Sequence, residues 1–296
     1  MSGKTVLIIL VIVLVSLPVG LCKVIMVPED SSSIQNAIDN SEDGDVILLA
    51  DGVHDSGFHL YGKHRIIKSR FGPENCFLKN RAWYEEIRIR DDSRIILDGI
   101  TFSDFNLNSD FTAIISIVDS DVSLHNCHFN NNVFSEIGHE DQPCLGIYDS
   151  DVSINRCSFN NNHSVDSRAG FGCVVSMENN ADVTITESKF SGNSAGRCVH
   201  TSSSNLLIEG CEFSGNHTLD SGGAVYADSS ELIIRKSRFL GNFSVYKGGA
   251  IYMTDMVGVI LGGSSDAGNV FSGNQGSSPY GGNTLFYELA PYRERH

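Results

Sequence analysis

Six times from residue 129 onward in this chain of 296 residues, at intervals of 23–32 residues, a phenylalanine is followed three positions later by an asparagine. The pairs are Phe129/Asn132, Phe159/Asn162, Phe190/Asn193, Phe213/Asn216, Phe239/Asn242 and Phe271/Asn274, and Phe102 opens the series. Successive phenylalanines from Phe129 onward lie 30, 31, 23, 26 and 32 residues apart. Self-similarity at a period of roughly 20–50 residues marks a stacked architecture, in which each unit buries its apolar face against the next. Such a chain grows as a coil, with every unit in contact mainly with its two neighbours.

The units share one grammar. Val122-Ser-Leu124-His-Asn-Cys127-His-Phe129 recurs from Val152 to Phe159, from Val183 to Phe190, from Leu206 to Phe213 and from Leu232 to Phe239. Apolar and polar residues alternate at period two, which is strand patterning, and no unit holds a stretch of helical period. A second short strand precedes most blocks, as in Cys144–Tyr148, Cys173–Met177, Cys198–His200, Gly223–Tyr226 and Gly249–Tyr252. A propeller blade of four strands needs ~40–45 residues, too many for this period. Two or three short strands per turn suit it, and that is a parallel β-helix. Roughly nine or ten rungs at the ~4.8 Å strand spacing make a rod of ~45 Å.

In such a coil, equivalent positions form columns. Cys127, Cys157, Ser188, Cys211 and Ser237 are expected in one inward column; Cys144, Cys173 and Cys198 in another, continued by Ala224 and Ala250. Small side chains interchange where an interior turn is tight. The six asparagines form a third column, where amides can hydrogen-bond along the stack. The chain has eight cysteines. The column argument favours free buried thiols, with a bond between neighbouring rungs such as Cys144–Cys173 as the alternative.

Residues 1–22, with Lys4 before an apolar run from Val6 to Val15, read as a secretory leader cleaved before Lys23. Residues 23–100 form an N-terminal cap and first rungs, 101–275 the regular repeats, and 276–296 a degenerate last rung around Leu285–Tyr287 and a polar tail. Within the cap, serines preceding Ile34, Ala37 and Ile38 predict a short capped helix closing the open end. The strand and turn over Asp43–His54 is expected to come first. The net charge of −15 and the lack of a basic stripe argue against nucleic acid as a partner. No transmembrane segment is expected after leader cleavage, and the oligomeric state is open.

Ser33-Ile-Gln-Asn-Ala-Ile38 followed by Gly44-Asp-Val-Ile47 resembles the start of pectin-lyase-like right-handed parallel β-helix proteins. The Phe-x-x-Asn units, with Gly222–Tyr226 and Gly248–Tyr252, resemble the repeat of chlamydial polymorphic membrane proteins. The first resemblance covers nearly all the chain after the leader, the second about residues 100–290. Together they imply an all-β, single-stranded right-handed parallel β-helix (a solenoid) with a short N-terminal capping helix. The repeat resemblance implies a surface adhesin, although no C-terminal membrane barrel is present in this sequence.

Three features bear on chemistry. Asp121, Asp151 and Asp182 occupy equivalent turns and are expected to stack, with Asp119, Asp149 and Asn180 beside them. Carboxylates one rung apart repel unless hydrated or bridged, and their oxygens suit calcium. Polysaccharide lyases that this chain resembles use stacked acids to hold calcium against a uronate, with Arg or Lys as base. Aspartate also starts strands after turns in the absence of any ligand. Second, Asn162, Asn216 and Asn242 lie in glycosylation sequons, but each is also the ladder asparagine. Third, His125 and His128 flank Cys127 on a strand that turns them away from it, against a shared metal. Outward charges pair between rungs: Lys189, Glu212 and Arg238 in one column, Glu209 over Arg235 in the next.

The reading reached is a secreted or cell-surface β-helix without catalysis, serving as an adhesion or glycan-binding module for glycans or cell-surface and matrix molecules. The alternative is a calcium-dependent polysaccharide lyase or a glycoside hydrolase, with Asp121, Asp151 and Asp182 as ligands. The binding reading calls for no cofactor; the alternative calls for calcium.

Overall fold

Alternating strands and single-residue corners wind the chain into a coil of parallel strands. The computed structural model describes residues 22–79, 86–107, 113–134, 143–164, 173–262, 268–277 and 284–288. The expected leader up to residue 21, the tail from 289, and the longer turns over 135–142 and 165–172 lie outside the described residues.

One turn of the coil runs Ser120–His125, His128–Asn130, Val133–Phe134, Leu145–Tyr148, and the next begins at Asp151–Asn155. Repetition stacks these strands into a first sheet of ten strands, from Val24–Val27 to Gly258–Leu261. A second sheet of nine carries the phenylalanines, from Gly52–Asp55 to Val270–Ser272. A third of nine runs from His59–Tyr61 to Leu285–Glu288. A short fourth strip consists of two three-stranded pieces, bridged where Ser194 pairs with His163 and His217. The pairing is parallel, with like positions in register: Val122 faces Val152, which faces Val183. The cross-section is thus slightly more elaborate than two or three strands per turn.

The repeated corners among the described residues turn on a residue in the left-handed region. Between the first and second sheets it is Asn126 (φ 50°), Arg156 (52°), Glu187 (48°) and Lys236 (49°). The next residue is the small inward column, and the structure explains its composition. The Cys127 N–H donates to Cys157 Sγ (3.4 Å), and Cys157 N–H to Ser188 Oγ (3.0 Å). Ser188 N–H then donates to Cys211 Sγ (3.5 Å), and Cys211 N–H to Ser237 Oγ (3.1 Å). Cysteine and serine interchange because the position needs a small acceptor for an N–H freed from the ladder by the corner.

Two further columns fill the interior. The rings of Phe102, Phe129, Phe159, Phe190, Phe213, Phe239 and Phe271 stack with centroids 4.6–4.9 Å apart. Rung spacing imposes that distance, which also lies in the favourable range for aromatic pairs. Beside them runs the asparagine ladder. Asn162 Nδ2 donates to Asn193 Oδ1 (2.9 Å) and to the Phe129 carbonyl (3.0 Å), and its N–H donates to the same Oδ1 (3.0 Å). The pattern repeats at Asn193, Asn216 and Asn242.

The cap helix covers Ile34–Asp39, with Ser33 Oγ accepting from Asn36 N–H (3.1 Å) and Ile34, Ala37 and Ile38 buried. Two expectations are corrected. The first strand is Val24–Val27, which pairs with Val46–Leu49 ahead of the expected Asp43–His54 segment; it was missed because it abuts the leader. Cys173 stands one position off its expected column: Leu145 pairs with Val175, and Val175 with Val199, so Val174 lies between Cys144 and Cys198. All eight cysteines are thiols rather than disulfides. Burial pushes the Cys76 thiol up to about 12 and Cys211 to about 11, so these two stay protonated.

Candidate functional site

The outer surface of the first sheet is built from three columns, because every second residue of its strands points outward. One column runs His64, Arg94, Asp121, Asp151, Asp182, Asn205 and Glu231. The next holds Ser123, Ser153 and Thr184, and a third holds His125, Asn155 and Thr186. Asp121, Asp151 and Asp182 therefore stack in register as expected, and all three are exposed. The middle row is linked by Ser153 Oγ donating to Ser123 Oγ (3.0 Å), and the outer row by Asn155 Nδ2 donating to Thr186 Oγ1 (2.8 Å). His125 Nδ1 lies 3.1 Å from Asp98 Oδ1. The result is a flat lattice of hydroxyls, amides and carboxylates with one step per rung.

Sequence reasoning missed the cation in this column. Arg94 Nε lies 3.8 Å from Asp121 Oδ2, both side chains being more than half exposed, at 62% and 59%. Beside them a groove of about 280 Å³ is lined by His64, Arg65, Ile66, Arg94, Asp121 and Ser123. The signal was present: Ser93-Arg94-Ile95 aligns with Ser120-Asp121-Val122 once the register is known.

Calcium takes ~6–8 oxygens around one point. The three aspartates follow one another along a flat face, and no group of three or more His, Cys, Asp or Glu side chains among the described residues is placed to hold a metal. The described side chains do not form a ready-made calcium cage.

Asn162, Asn216 and Asn242 are fully buried, with both the amide nitrogen and oxygen engaged in the ladder. The folded coil leaves no path for a glycan to those nitrogens, so attachment would have to precede closure of the rung. His125 and His128 diverge to different partners: His125 meets Asp98, while His128 lies 4.0 Å from Glu74. On the second sheet, Glu212 sits between Lys189 (3.4 Å) and Arg238 (3.7 Å). Glu209 lies in register with Arg235, as expected, and also pairs with Lys236 (2.8 Å) at the left-handed corner.

The third sheet carries a column that sequence analysis left unassigned: Ser176, His200, Tyr226, Tyr252 and Phe286. The Tyr226 and Tyr252 rings meet at 4.9 Å, tilted by 33°, and Arg197 lies 4.1 Å above the Tyr226 ring while pairing with Asp220 (2.9 Å). The Tyr252 hydroxyl donates to Glu288, which also holds Lys247 (3.0 Å). The rings spend their faces on one another and on these cations. Their role is to bind rung to rung.

The family model described as the right handed beta helix region matches residues 29–212 and 168–283. No curated protein matches the sequence. Among solved structures, the catalytic domain of a GH87 alpha-1,3-glucanase in complex with tetrasaccharides is 11% identical, with a TM-score of 0.41. That match covers 90% of this chain, which spans 64% of the glucanase chain. A pectin methylesterase in complex with a hexasaccharide is also 11% identical with a TM-score of 0.41, over 90% of this chain and 93% of that one. A PL6 family alginate lyase is 9% identical, with a TM-score of 0.26, over 85% of this chain and 53% of the lyase. At these values no activity carries over.

Proposed function

We propose, from the premise that this chain belongs to the right handed beta helix region family, that it is a non-catalytic glycan-binding module whose contact surface is the first sheet. One observation carries the reading: the three-column lattice on the outer side of the sheet, in which Asp121, Asp151, Asp182 and Ser153 are exposed and Ser123, Thr184, His125, Asn155 and Thr186 are half-buried. Rungs repeat every ~4.8 Å, a step comparable with one sugar unit of an extended polysaccharide, so a glycan laid along the coil meets like groups at each unit. Carboxylates and hydroxyls accept and donate to sugar hydroxyls. A net charge of −15 disfavours acidic glycans in the absence of cations, so the ligand is a neutral chain. The apolar leader supports export, and the likeness of the Phe-x-x-Asn units to the chlamydial repeat supports adhesion at a surface.

The test is retention of the purified chain on immobilised neutral polysaccharides. Replacing Ser123, Ser153 and Thr184 by lysine should abolish retention while leaving thermal unfolding unchanged, since these side chains point outward. Retention that survives the triple substitution would remove the first sheet from the reading.

Arg94 beside Asp121 at the mouth of the groove supports a second reading, a lyase or glycoside hydrolase. In its calcium-dependent form the ion would arrive bridging the aspartates and an acidic glycan. Incubation with polyuronates, with calcium or chelator, would reveal it through the ultraviolet absorbance of unsaturated products. A calcium-dependent rise that Arg94→Ala or Asp151→Ala abolishes would replace the binding reading by the lyase; hydrolysis would be followed through new reducing ends.

A further inference from the structure

A second, separate feature lies at the N-terminal end of the coil. There a cavity of about 470 Å³ opens between the cap helix and the strand His59–Tyr61, lined by Gln35, Asp39, Phe58, His59, Tyr61 and Lys63. Its origin is local. The cap helix buries Ile34, Ala37 and Ile38, so its polar residues Gln35 and Asp39 face away from the core beside the third sheet. His59–Tyr61 is the outermost strand of that sheet and pairs with Ile87–Arg90 on one side only. On its open side the Gln35 amide takes the place of a neighbouring strand: Oε1 accepts from His59 N–H (2.7 Å) and Nε2 donates to the His59 carbonyl (3.3 Å).

That brace positions the chemistry. Gln35 Nε2 also donates to Asp39 Oδ1 (3.0 Å), fixing a carboxylate that is half exposed at the cavity. Lys63 Nζ lies 3.5 Å from the same oxygen and 3.4 Å from the Ile38 carbonyl. Tyr61 is 44% exposed, and the His59 ring meets it edge-on at 5.9 Å. Partial burial and the nearby Arg88 hold the His59 imidazole below its usual range, so it is neutral at physiological pH. An exposed aromatic ring, a braced carboxylate, an ammonium and a neutral imidazole thus surround a space of the size that small-molecule sites occupy, ~300–1,000 Å³.

We propose that this cavity binds one neutral pyranose unit, with the C–H face of the sugar on Tyr61 and vicinal hydroxyls shared between Asp39 and Lys63. The carboxylate accepts two hydroxyl protons and the ammonium donates to the oxygens, which is the complement of a diol. Asp39 and Lys63 cancel in charge, so the pair does not attract a uronate or an amino sugar, and the chain's net charge of −15 disfavours an acidic one. An ordinary surface ion pair contributes little and holds no fixed geometry; the Gln35 brace is what distinguishes this one. The site lies on a different face from the lattice of the first sheet, and the two readings stand or fall separately.

The test uses the full chain with methyl β-glucoside and methyl β-galactoside as probes and methyl β-glucuronide as the acidic control, followed by saturation-transfer NMR and titration. A neutral glycoside is expected to bind and the glucuronide to bind more weakly. Losing the braced acceptor in Asp39→Asn, or the ring in Tyr61→Ala, should weaken binding by ~10-fold or more, the equivalent of one charge-assisted hydrogen bond. Tyr61→Phe, which keeps the ring, should retain most of the binding that Tyr61→Ala loses, and Glu212→Gln, on the second sheet and outside both proposed sites, should leave it unchanged. Unchanged thermal unfolding checks that each variant folds, and the more conservative Asp39→Asn serves if Tyr61→Ala does not. Absence of transfer to either neutral probe, binding indifferent to both substitutions, or preference for the glucuronide would each overturn the proposal.

Discussion

A buried amide such as Asn193 takes part in more hydrogen bonds than a side chain usually manages. Its Oδ1 accepts from both the N–H and Nδ2 of Asn162, while its own Nδ2 donates to Asn216 Oδ1 and to the Phe159 carbonyl. Asn193→Ala strands the Asn162 donors in an interior without water. Each buried unsatisfied group costs ~1–3 kcal/mol, so the loss should be ~3–5 kcal/mol in urea unfolding. His200 illustrates the same logic for protons. Burial, aided by Arg197, depresses its pKa from 6.5 to about 3. Below 6.5 the unfolded chain takes up a proton that the folded chain refuses, so stability is intact above that pH and falls as pH drops through the window. A loss on the order of 3 kcal/mol down to about pH 4 is expected, and His200→Asn should flatten that part of the profile. The ladder itself was legible from the recurring Phe-x-x-Asn; the burial of His200 was not, because its strand alone does not reveal what covers its outer face.

At the scale of one rung, the corners decide which residues are interchangeable. Gly215 has φ +60° with open space within 4 Å of where a Cβ would project, and Asn131 and Asn161 occupy the equivalent corner at φ 56° and 54°. Gly215→Asn should therefore change stability by well under ~1 kcal/mol, since Asn tolerates the left-handed region. Gly248 also has a positive φ, +65°, but a Cβ there would lie 2.3 Å from the Ile251 carbonyl oxygen. Gly248→Ala should cost more than ~1 kcal/mol, through contact as well as conformation. Thermal unfolding of the two variants separates these causes. From the sequence both glycines read simply as turn residues. The same limitation misplaced Cys173: strand boundaries are soft by a residue or two, and a one-residue offset gave its place in the column to Val174, although Cys173 itself stays buried.

Across the whole molecule, stability is carried from rung to rung, with few contacts that skip a turn. Phe190 stacks on Phe159 at 4.6 Å and on Phe213 at 4.6 Å, near the middle of the rod. Phe190→Ala should cost ~3–5 kcal/mol by cavity formation. Because the loss falls on a nearest-neighbour interface, it should also divide urea unfolding into two phases, with hydrogen exchange showing separate protection on either side; a single unaltered transition would contradict the one-dimensional picture. The outer faces behave differently. Their columns are coupled to the core only by alternation, so the first sheet can vary its outward residues with little cost in stability, which is why the glycan-retention variants above are expected to fold.

Spacing and period alone determined that this chain is a parallel coil, that its interior holds a phenylalanine column, an asparagine ladder and a column of small residues, and that Asp121, Asp151 and Asp182 fall on one line. They could do so because a residue repeated once per turn must meet its copies, whatever the details of the turn. Only the tertiary structure decided which columns lie side by side: Arg94 against Asp121, and Gln35 bracing Asp39 beside Tyr61. Those relations depend on the lengths and corners of the segments between the repeats, and on how the cap helix docks, and no period encodes them.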